Sequence, residues 1–318
     1  MLRCTNLASN RRPLHTTFVI AALVAAVSAQ SAFVLTEVDK PTWVRWWHSP
    51  LAMLTAAIPA GPIRVDAASA AGLDDTFSRL DYQLDGVADG RGVPPVLLAS
   101  VPADLGGMAE TDMRKDVFLR LALPLVLTAN EAIAADRNRL EALSASRHGG
   151  EALSANDQAW LDGLAERYDV EPGPAAIGQL LRRVDGVPPS LALAQAAIES
   201  GWGTSRQVRR EHNMFGHTIE NSDGTSMATF PSLMDAVNAY VHNLNTHHAY
   251  ESLRRVRAET RAHGGIPEGA ALASHLGAYS ELGQAYVDDV RSVIRSNDLA
   301  RLDNAHLRHG RLAAQSEL

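Results

Sequence analysis

The chain has 318 residues, of which 46% are hydrophobic, and this is enough for one large or two modest globular domains. Lys and Arg number 29 against 36 Asp and Glu, so the formal net charge is -7. Because the sequence has no long basic run, we expect no nucleic-acid partner. The single cysteine, Cys4, precedes the first apolar segment, so neither a disulfide nor a lipidated cysteine is expected.

The N-terminus has the pattern of a secretory signal peptide. A basic segment precedes residues 16–26, which are uncharged and mostly apolar, and residues 27–29 are small enough for a cleavage site. We therefore predict that residues 1–29 are a signal peptide and that the rest of the chain is exported to the periplasm. The alternative is an anchor in the inner membrane, because residues 16–35 are long enough to span a bilayer.

Residues 30–70 are predicted to be a linker, since they are rich in Ala and Pro and lack a strong hydrophobic period. Residues 71–150 are predicted to form a helical N-terminal region. This region begins with one helix over residues 72–90 and continues with a longer helix over residues 111–143. Pro124 is expected to kink or divide the longer helix.

Residues 151–307 are predicted to form a second helical domain, followed by a tail over residues 308–318. Gly92-Val93-Pro94-Pro95 and Gly186-Val187-Pro188-Pro189 share the same four letters, and both are expected to start a helix. A small hairpin is expected with its turn at residues 221–224, because Asn, Asp and Gly follow one another there. The predicted fold class is therefore mainly α with a small β-hairpin. The other helices predicted in this domain cover residues 154–168, 174–184, 204–210, 232–247, 250–261 and 268–276, with a last one ending at residue 294.

The centre of the chain is a short apolar helix that ends in a carboxylate. Ser190 can cap this helix after a Pro-Pro pair, and Gly201 and Gly203 tolerate the left-handed conformation that ends it. Glu199 is its only ionisable residue and lies at its C-terminus, where the helix dipole disfavours negative charge. The apolar helix, the dipole and the indole of Trp202 are all expected to raise the pKa of Glu199, which is how enzymes obtain a general acid near neutral pH.

The motifs around Glu199 resemble a known family. Residues 196–205, the run Asn213-Met214-Phe215-Gly216 and the pair Tyr279 and Tyr286 are similar in order and spacing to the peptidoglycan glucosaminidases of glycoside hydrolase family 73. The resemblance runs from about residue 73 to about residue 307 and is most specific at the Glu199 motif. Three further segments resemble the Bax subgroup of this family and cover residues 77–85, 115–131 and 243–250.

The resemblance implies a lysozyme-like helical fold with a small β-lobe. It further implies an endo-β-N-acetylglucosaminidase that binds peptidoglycan strands and cleaves the β-1,4 bond on the reducing side of N-acetylglucosamine. By matching motif, Glu199 is implied to be the general acid, and Tyr279 matches a tyrosine that the family places beside the scissile sugar. Four more residues match positions that shape the cleft, namely Trp202, Asn213, Phe215 and Gly216.

Glycoside hydrolysis also needs a base or a negative charge near the anomeric carbon. The hairpin is short for the family, and its acidic candidates are Glu220 and Asp223. Glu220 is the preferred second catalytic carboxylate, whereas Asp223 precedes Gly224, is typical of a turn, and is assigned to substrate binding. A third alternative needs neither residue, because the N-acetyl group of the substrate can itself act as the nucleophile.

The remaining candidates have an ordinary structural interpretation beside the functional one. Tyr279 is expected in the cleft, where its hydroxyl can hydrogen-bond a developing charge, whereas Tyr286 fits an apolar helix face and is expected in the core. Trp202 is either a packing residue behind Glu199 or a platform for a sugar ring, and packing is favoured. No metal and no cofactor are expected, because the histidine spacings do not match a metal site.

Two alternative functions stay open at this point. A lytic transglycosylase uses the same Glu-Ser helix end but forms a 1,6-anhydro product. A catalytically weak scaffold would bind the glycan of the cell wall without cleaving it. The chemistry of the new glycan ends separates both from a glucosaminidase.

Overall fold

The computed structural model describes residues 63–64, 69–221 and 224–308. The predicted signal peptide, residues 1–29, lies outside the described residues, as does the predicted tail beyond residue 308. The part of the chain that is described is mainly α-helical with one small antiparallel hairpin, so the predicted fold class is confirmed.

The helices and strands follow one another in this order along the chain. The α-helices are α1 (Ala70–Arg79), α2 (Leu84–Ala88), α3 (Thr111–His148), α4 (Ala155–Arg167), α5 (Ala176–Arg183), α6 (Pro189–Ser200), α7 (Arg206–Glu211), α8 (Leu233–Thr246), α9 (Glu251–Ala262), α10 (Gly269–Leu272) and α11 (Gln284–Ser296). The strands are β1 (Ile63–Arg64), β2 (Val96–Leu97), β3 (Thr218–Asn221) and β4 (Gly224–Met227). Short 3₁₀ helices cover Leu105–Gly107, His248–Tyr250, Ala273–His275 and Leu299–Leu302.

The single helix predicted over residues 72–90 is wrong, because the chain breaks between α1 and α2. Asp81 adopts a left-handed conformation with φ 49°, which an α-helix cannot contain. The break turns Tyr82 back onto α1, where its ring packs edge-on against Phe77 with the centroids 5.2 Å apart. Tyr82 is 1% exposed, so burial of this ring stabilises the break.

The first Gly-Val-Pro-Pro run does not start a helix, and it lies beside a short strand from the predicted linker. Val93 donates its N–H to the carbonyl of His306 and accepts a bond from the N–H of Arg308. These bonds hold the run extended and lead into β2, which pairs in parallel with β1. Strand β1 lies within the predicted linker of residues 30–70, most of which is outside the described residues, so the linker stays a prediction. The partners of the Gly-Val-Pro-Pro run, His306 and Arg308, lie more than 200 positions further along the chain. No local sequence pattern could therefore indicate these bonds.

Helix α3 is continuous through Pro124, so the predicted division into two helices does not occur. The helix is buried from Val117 to Leu127, and this packing offsets the backbone hydrogen bond that a proline cannot make. Arg120 in this segment is buried and forms ion pairs with Asp74 and Asp116. Among the described helices, α3 alone is long and apolar enough to cross a membrane, and 67% of its apolar window is buried inside the protein.

The two largest of three hydrophobic clusters organise the described residues. The larger core extends from α1 to Leu307 and surrounds α3 and α6. The smaller core joins the end of α3 to α4 and α5, through residues such as Leu140, Leu161 and Leu180. Both cores contain side chains from before and after residue 150, so the packing is continuous across the predicted domain boundary.

The N-terminus of α6 is held by a distant carboxylate, and the prediction that Ser190 caps this helix is wrong. Pro188 occupies the cap position and Pro189 the first helical position, which suits a residue without an N–H. Ser190 instead donates its N–H and its hydroxyl to the two carboxyl oxygens of Asp303, at 2.8 and 2.9 Å. Asp303 also accepts the N–H of Gly269, so α6 is joined to both α10 and the C-terminal segment.

Candidate active site

Helix α6 ends where the sequence predicts. Gly201 caps it in the left-handed conformation with φ 57° and ψ 46°. Ser200 lies fully buried beneath this end, donates to the carbonyl of Ala196 at 2.6 Å and accepts the N–H of Gly203 at 2.8 Å. A side chain at Gly203 would come 2.8 Å from Leu105 and Phe118, so the closeness of the chain to the core requires glycine there. The end of the helix, and with it the position of Glu199, is rigidly held.

Glu199 is half-buried at this helix end, and its carboxyl group contacts Tyr286 of α11. The hydroxyl of Tyr286 donates to Oε1 of Glu199 at 2.8 Å. Burial raises the pKa of Tyr286 well above its usual value, and the negative charge of Glu199 adds to this effect. The phenol therefore keeps its proton at physiological pH and serves Glu199 as a hydrogen-bond donor.

Three further buried tyrosines interact electrostatically with Glu199, namely Tyr240, Tyr250 and Tyr279. Burial raises the pKa of each hydroxyl, and the charge of Glu199 raises it further. The rings are ordered by stacking, since Tyr279 lies parallel to Tyr286 with centroids 5.4 Å apart and Tyr240 lies parallel to Phe215 at 4.0 Å. Glu199 is thus surrounded by neutral, oriented dipoles, a setting that suits a group which must gain and lose a proton.

Gly216 lies against the carboxyl group of Glu199 from the opposite side. Its φ is 68°, and a Cβ at this position would lie 2.7 Å from Oε2 of Glu199. Only glycine combines this conformation with such an approach. The predicted contribution of Gly216 to the shape of the site therefore has a defined geometry, because it leaves room for the carboxyl group.

Asn213 supports the base of the hairpin and is 1% exposed. Its amide group donates to the carbonyls of His217 and Ala228 at 2.7 and 2.9 Å and accepts the N–H of His217 at 3.0 Å. Phe215, also buried, stacks on Tyr240. Neither residue presents its side chain to solvent, and their role in shaping the cleft stays a prediction.

The predicted hairpin is confirmed, with β3 and β4 paired antiparallel and Glu220 opposite Thr225. Ile219 packs inward against Phe230 and α8. Because side chains alternate along a strand, Glu220 extends from the other face, and it is half-buried there. Asp223 lies outside the described residues, so its predicted role stays a prediction.

Trp202 has a left-handed backbone, with φ 58°, which is uncommon for a bulky residue. Its ring packs edge-on against Phe118 at 6.1 Å, and the Nζ of Lys115 lies 5.2 Å from its centroid. The indole is half-buried. These contacts are those of the packing role that the sequence favours.

The predicted role of Tyr279 requires a hydroxyl that faces the cleft, whereas the structure holds this hydroxyl in a bond inside the protein. Its side chain is 5% exposed, and its hydroxyl donates to the carbonyl of Phe215 at 2.9 Å. Tyr286, expected only as a core residue, is indeed 2% exposed but makes the direct bond to Glu199. The apolar spacing of α11 predicts the burial of Tyr286, whereas its hydroxyl contact depends on a helix 87 positions earlier. A catalytic role for Tyr279 stays a prediction.

Among the residues that the structure describes, no group of three or more His, Cys, Asp or Glu side chains is arranged to hold a metal ion. The site is one carboxyl group held between a tyrosine and a glycine, and Glu220 lies on strand β3, which follows that glycine in the chain. Such an arrangement can deliver a proton to a leaving oxygen.

The chain is similar to known proteins. A family model described as Glucosaminidase: Mannosyl-glycoprotein endo-beta-N-acetylglucosaminidase matches residues 175–299, which include α6, the hairpin and both tyrosines of the pair. The chain is 35% identical to "Protein bax" of Escherichia coli (strain K12) over 205 residues, covering 61% of this chain and 73% of that relative. A solved structure, the catalytic domain of the autolysin Auto from Listeria monocytogenes, is 18% identical with a TM-score of 0.29, covering 53% of this chain and 97% of that chain.

Proposed function

The chain belongs to the Bax-type glucosaminidases of glycoside hydrolase family 73, and we propose that it is an exported endo-β-N-acetylglucosaminidase. Its substrate is the glycan strand of peptidoglycan, in which it hydrolyses the β-1,4 bond after N-acetylglucosamine. Glu199 is the general acid, which protonates the oxygen of the leaving sugar.

One observation carries the assignment of the acid. Glu199 is a half-buried carboxyl group at the end of a buried helix, with Tyr286 bonded to one oxygen and Gly216 against the other. The helix dipole and the surrounding buried rings favour the protonated form, whereas the tyrosine bond favours the ionised one. A group balanced in this way can lose its proton during the reaction and regain it afterwards.

Glu220 is proposed as the second carboxylate. It lies on the hairpin face opposite to Ile219, which packs into the core. In an inverting reaction it would activate water, since two carboxyl groups separated by room for a water molecule give inversion. The competing route, attack by the N-acetyl group of the substrate, needs no such residue and retains the configuration.

Export is proposed on the N-terminal sequence alone, with residues 1–29 as signal peptide and the periplasmic face of the cell wall as the place of action. Cleavage would leave a protein that starts at Gln30, which N-terminal sequencing of protein recovered from cells would detect. An unprocessed N-terminus would favour the anchor in the inner membrane.

The function is tested by digesting purified cell-wall sacculi and identifying the new glycan ends by mass spectrometry. We expect reducing N-acetylglucosamine ends from the wild type. Glu199→Gln should lower the rate by at least about 100-fold, the lower range for loss of a general acid, without lowering the melting temperature. Glu151→Gln, at an exposed loop carboxylate, is the matched control and should keep full activity.

Other products would contradict the proposal. Anhydro-muramic ends would make the protein a lytic transglycosylase, and no new ends would make it a glycan-binding scaffold. The same substrate also separates the base-activated water from attack by the N-acetyl group. The measurements are the activity of Glu220→Gln and the anomeric configuration of the first product, which NMR reports. Inversion that depends on Glu220 supports a base, whereas retention with an active Glu220→Gln variant supports attack by the N-acetyl group.

A further inference from the structure

Gln195 is a fully buried polar residue one helical turn before Glu199, in an otherwise apolar part of α6. Its amide group lies between two tyrosine hydroxyls from different helices. The hydroxyl of Tyr240 donates to Oε1 of Gln195 at 2.8 Å, and Nε2 of Gln195 donates to the hydroxyl of Tyr286 at 3.0 Å. Tyr286 in turn donates to Glu199 at 2.8 Å, so four side chains form one continuous chain of hydrogen bonds.

The direction of this chain follows from the chemistry of the amide. An amide nitrogen only donates and an amide oxygen only accepts, whereas a phenol has a single proton to donate. Because Tyr286 accepts from Nε2 of Gln195, its own proton is left for Glu199. The Tyr240 hydroxyl selects this orientation of the amide, since it supplies a donor to the amide oxygen. A reversed amide would present its oxygen to Tyr286 and draw the phenolic proton away from Glu199.

Both tyrosines are fixed in place by stacking, so the chain has little freedom to rearrange. The Tyr286 ring is parallel to Tyr279, at an interplanar angle of 6°, and the Tyr240 ring is parallel to Phe215, at 7°. What can still change is the direction of the Tyr286 hydroxyl proton and the orientation of the Gln195 amide. The amide of Gln195 decides both.

We propose that Gln195 is a positioning residue that holds Tyr286 as a hydrogen-bond donor to Glu199 and thereby sets the pH above which Glu199 no longer acts as an acid. A bond donated to a carboxylate stabilises the ionised form, so the intact chain lowers that pH. The proposal rests on the proposed role of Glu199 as general acid.

Four groups in electrostatic contact with Glu199 come from other parts of the fold. Tyr240 lies on α8, Tyr250 ends a 3₁₀ helix, Tyr279 precedes α11 and Tyr286 lies on α11. Burial is the largest cause that raises the pKa of each of these tyrosines, and Glu199 adds to it. All four stay neutral over the range of an enzyme assay, so none of them changes charge when Glu199 titrates.

The other elements that pack against α6 bring charges that Gln195 does not touch. On α3 the group facing this helix end is Lys115, over the ring of Trp202. Asp303 lies at the opposite end of α6, on Ser190, and α10 contains only Gly, Ala and Leu. In the described part of the hairpin and its base the titratable groups are Glu220 and His217, and burial lowers the pKa of His217 to about 4. Replacing Gln195 therefore changes the direction of the Tyr286 hydroxyl, whereas these charges stay in place.

The test is the pH dependence of kcat/KM on glycan substrate, whose limb at high pH reports the acid of the free enzyme. Tyr286→Phe should move this limb to higher pH by about one unit, the size expected for a lost hydrogen bond to a charged group. Gln195→Leu should move it in the same direction by less, because the Tyr286 hydroxyl keeps its proton and loses only the donor that directs it towards Glu199. Tyr240→Phe should move it in the same direction by less, because the amide loses its orienting donor but keeps both of its own groups.

Tyr82→Phe is the matched control, since the Tyr82 hydroxyl is buried and has no hydrogen-bond partner among the residues that the structure describes. It should leave the limb unchanged. A merely structural role of Gln195 would lower the melting temperature of Gln195→Leu with the limb unmoved. Should Gln195→Leu fail to fold, Tyr286→Phe and Tyr240→Phe decide the question, and an unmoved limb in both overturns the proposal.

A second readout does not depend on activity. The side-chain carboxyl carbon of Glu199, labelled with ¹³C and assigned by its loss in Glu199→Gln, should titrate at higher pH in Gln195→Leu than in the wild type. If the wild type cleaves no glycan, the proposed function fails while this titration still tests the hydrogen-bond chain. If the wild type is active and neither the limb nor the titration moves, only the role of Gln195 is refuted.

Discussion

Glu199 and Gly216 come from different segments, and their contact fixes where the carboxyl group can lie. The carboxyl carbon of Glu199 would be 3.4 Å from a Cβ at position 216, and its Oε2 only 2.7 Å. Tyr286 restrains the other oxygen. The side chain of Glu199 is therefore confined between a hydrogen bond and a steric wall, which is the kind of preorganisation that proton transfer requires.

Gly216→Ala should displace the carboxyl group of Glu199 and strain the left-handed backbone at φ 68°. We expect kcat/KM to fall about 100-fold, the cost of a misplacement of about 1 Å, with a modest loss of thermal stability. The control is Gly163→Ala in α4, where a Cβ meets nothing within 4 Å. It should keep full activity. Wild-type kcat/KM in Gly216→Ala would show that the carboxyl group has room to move.

The hairpin is joined to the rest of the molecule mainly through its base. Asn213 bonds to the two strands' flanking residues, His217 and Ala228, and Ile219 packs on a small apolar cluster shared with α8. His217 lies between the rings of Phe215 and Phe230, at centroid distances of 6.5 and 5.8 Å. A buried histidine in this position makes the attachment of the hairpin sensitive to acid.

The predicted effect is a loss of stability at low pH. Burial lowers the pKa of His217 to about 4, whereas an unfolded histidine titrates at about 6.5. Between these values the unfolded state binds more protons, so the stabilisation is complete above about pH 6.5 and is lost as the pH falls through 4. Urea denaturation at pH 7 and 4.5 should show about 2–3 kcal/mol less stability at the lower pH from this residue.

The contribution of His217 to the pH dependence of stability is measured by comparing His217→Leu with the wild type. In His217→Leu the pH dependence between 7 and 4.5 should flatten by about that amount. The exposed His148 is the control, and His148→Gln should follow the wild-type curve. An unchanged slope in His217→Leu would mean that His217 titrates alike in the folded and unfolded states.

The whole molecule is held together around α6 by residues from distant helices. Asp185, 3% exposed just before α6, lies 2.6 Å from Nε of Arg261, 3.4 Å from Nε of Arg257 and 3.7 Å from an Nη of Arg137. Arg257 is fully buried, and burial lowers its pKa to about 10, so it is still charged at neutral pH. Its charge needs the carboxylate, since a buried cation without a counter-ion is costly.

Asp185→Asn should therefore destabilise the protein by about 3–5 kcal/mol, the usual cost of breaking a buried ion pair. Urea denaturation at pH 7 measures this change. The control is Asp81→Asn, which removes an ion pair with Arg91 whose side chains are 72% and 56% exposed, and it should cost at most about 1 kcal/mol. Equal effects of the two substitutions would contradict a structural role for the buried cluster.

The sequence by itself determined the features that depend on neighbouring residues. Ser154 and Ser232 cap the helices that they precede, Gly201 ends α6, and the strands on either side of the predicted turn pair as a hairpin. The placement of Glu199 at the end of an apolar helix belongs to the same class. Each is encoded within a few positions, because helix caps and tight turns are satisfied by local hydrogen bonds.

The tertiary structure alone decided the features whose partners lie far along the chain. Val93 is extended because it pairs with His306, Ser190 is bonded to Asp303 across 113 positions, and Tyr286 reaches Glu199 across 87. A periodic pattern shows that such a residue is buried but not which polar group it meets. The placement of Glu199 at a helix end could therefore be predicted from the sequence, whereas the hydrogen bonds that orient its carboxyl group arise only when α6, α8 and α11 pack together.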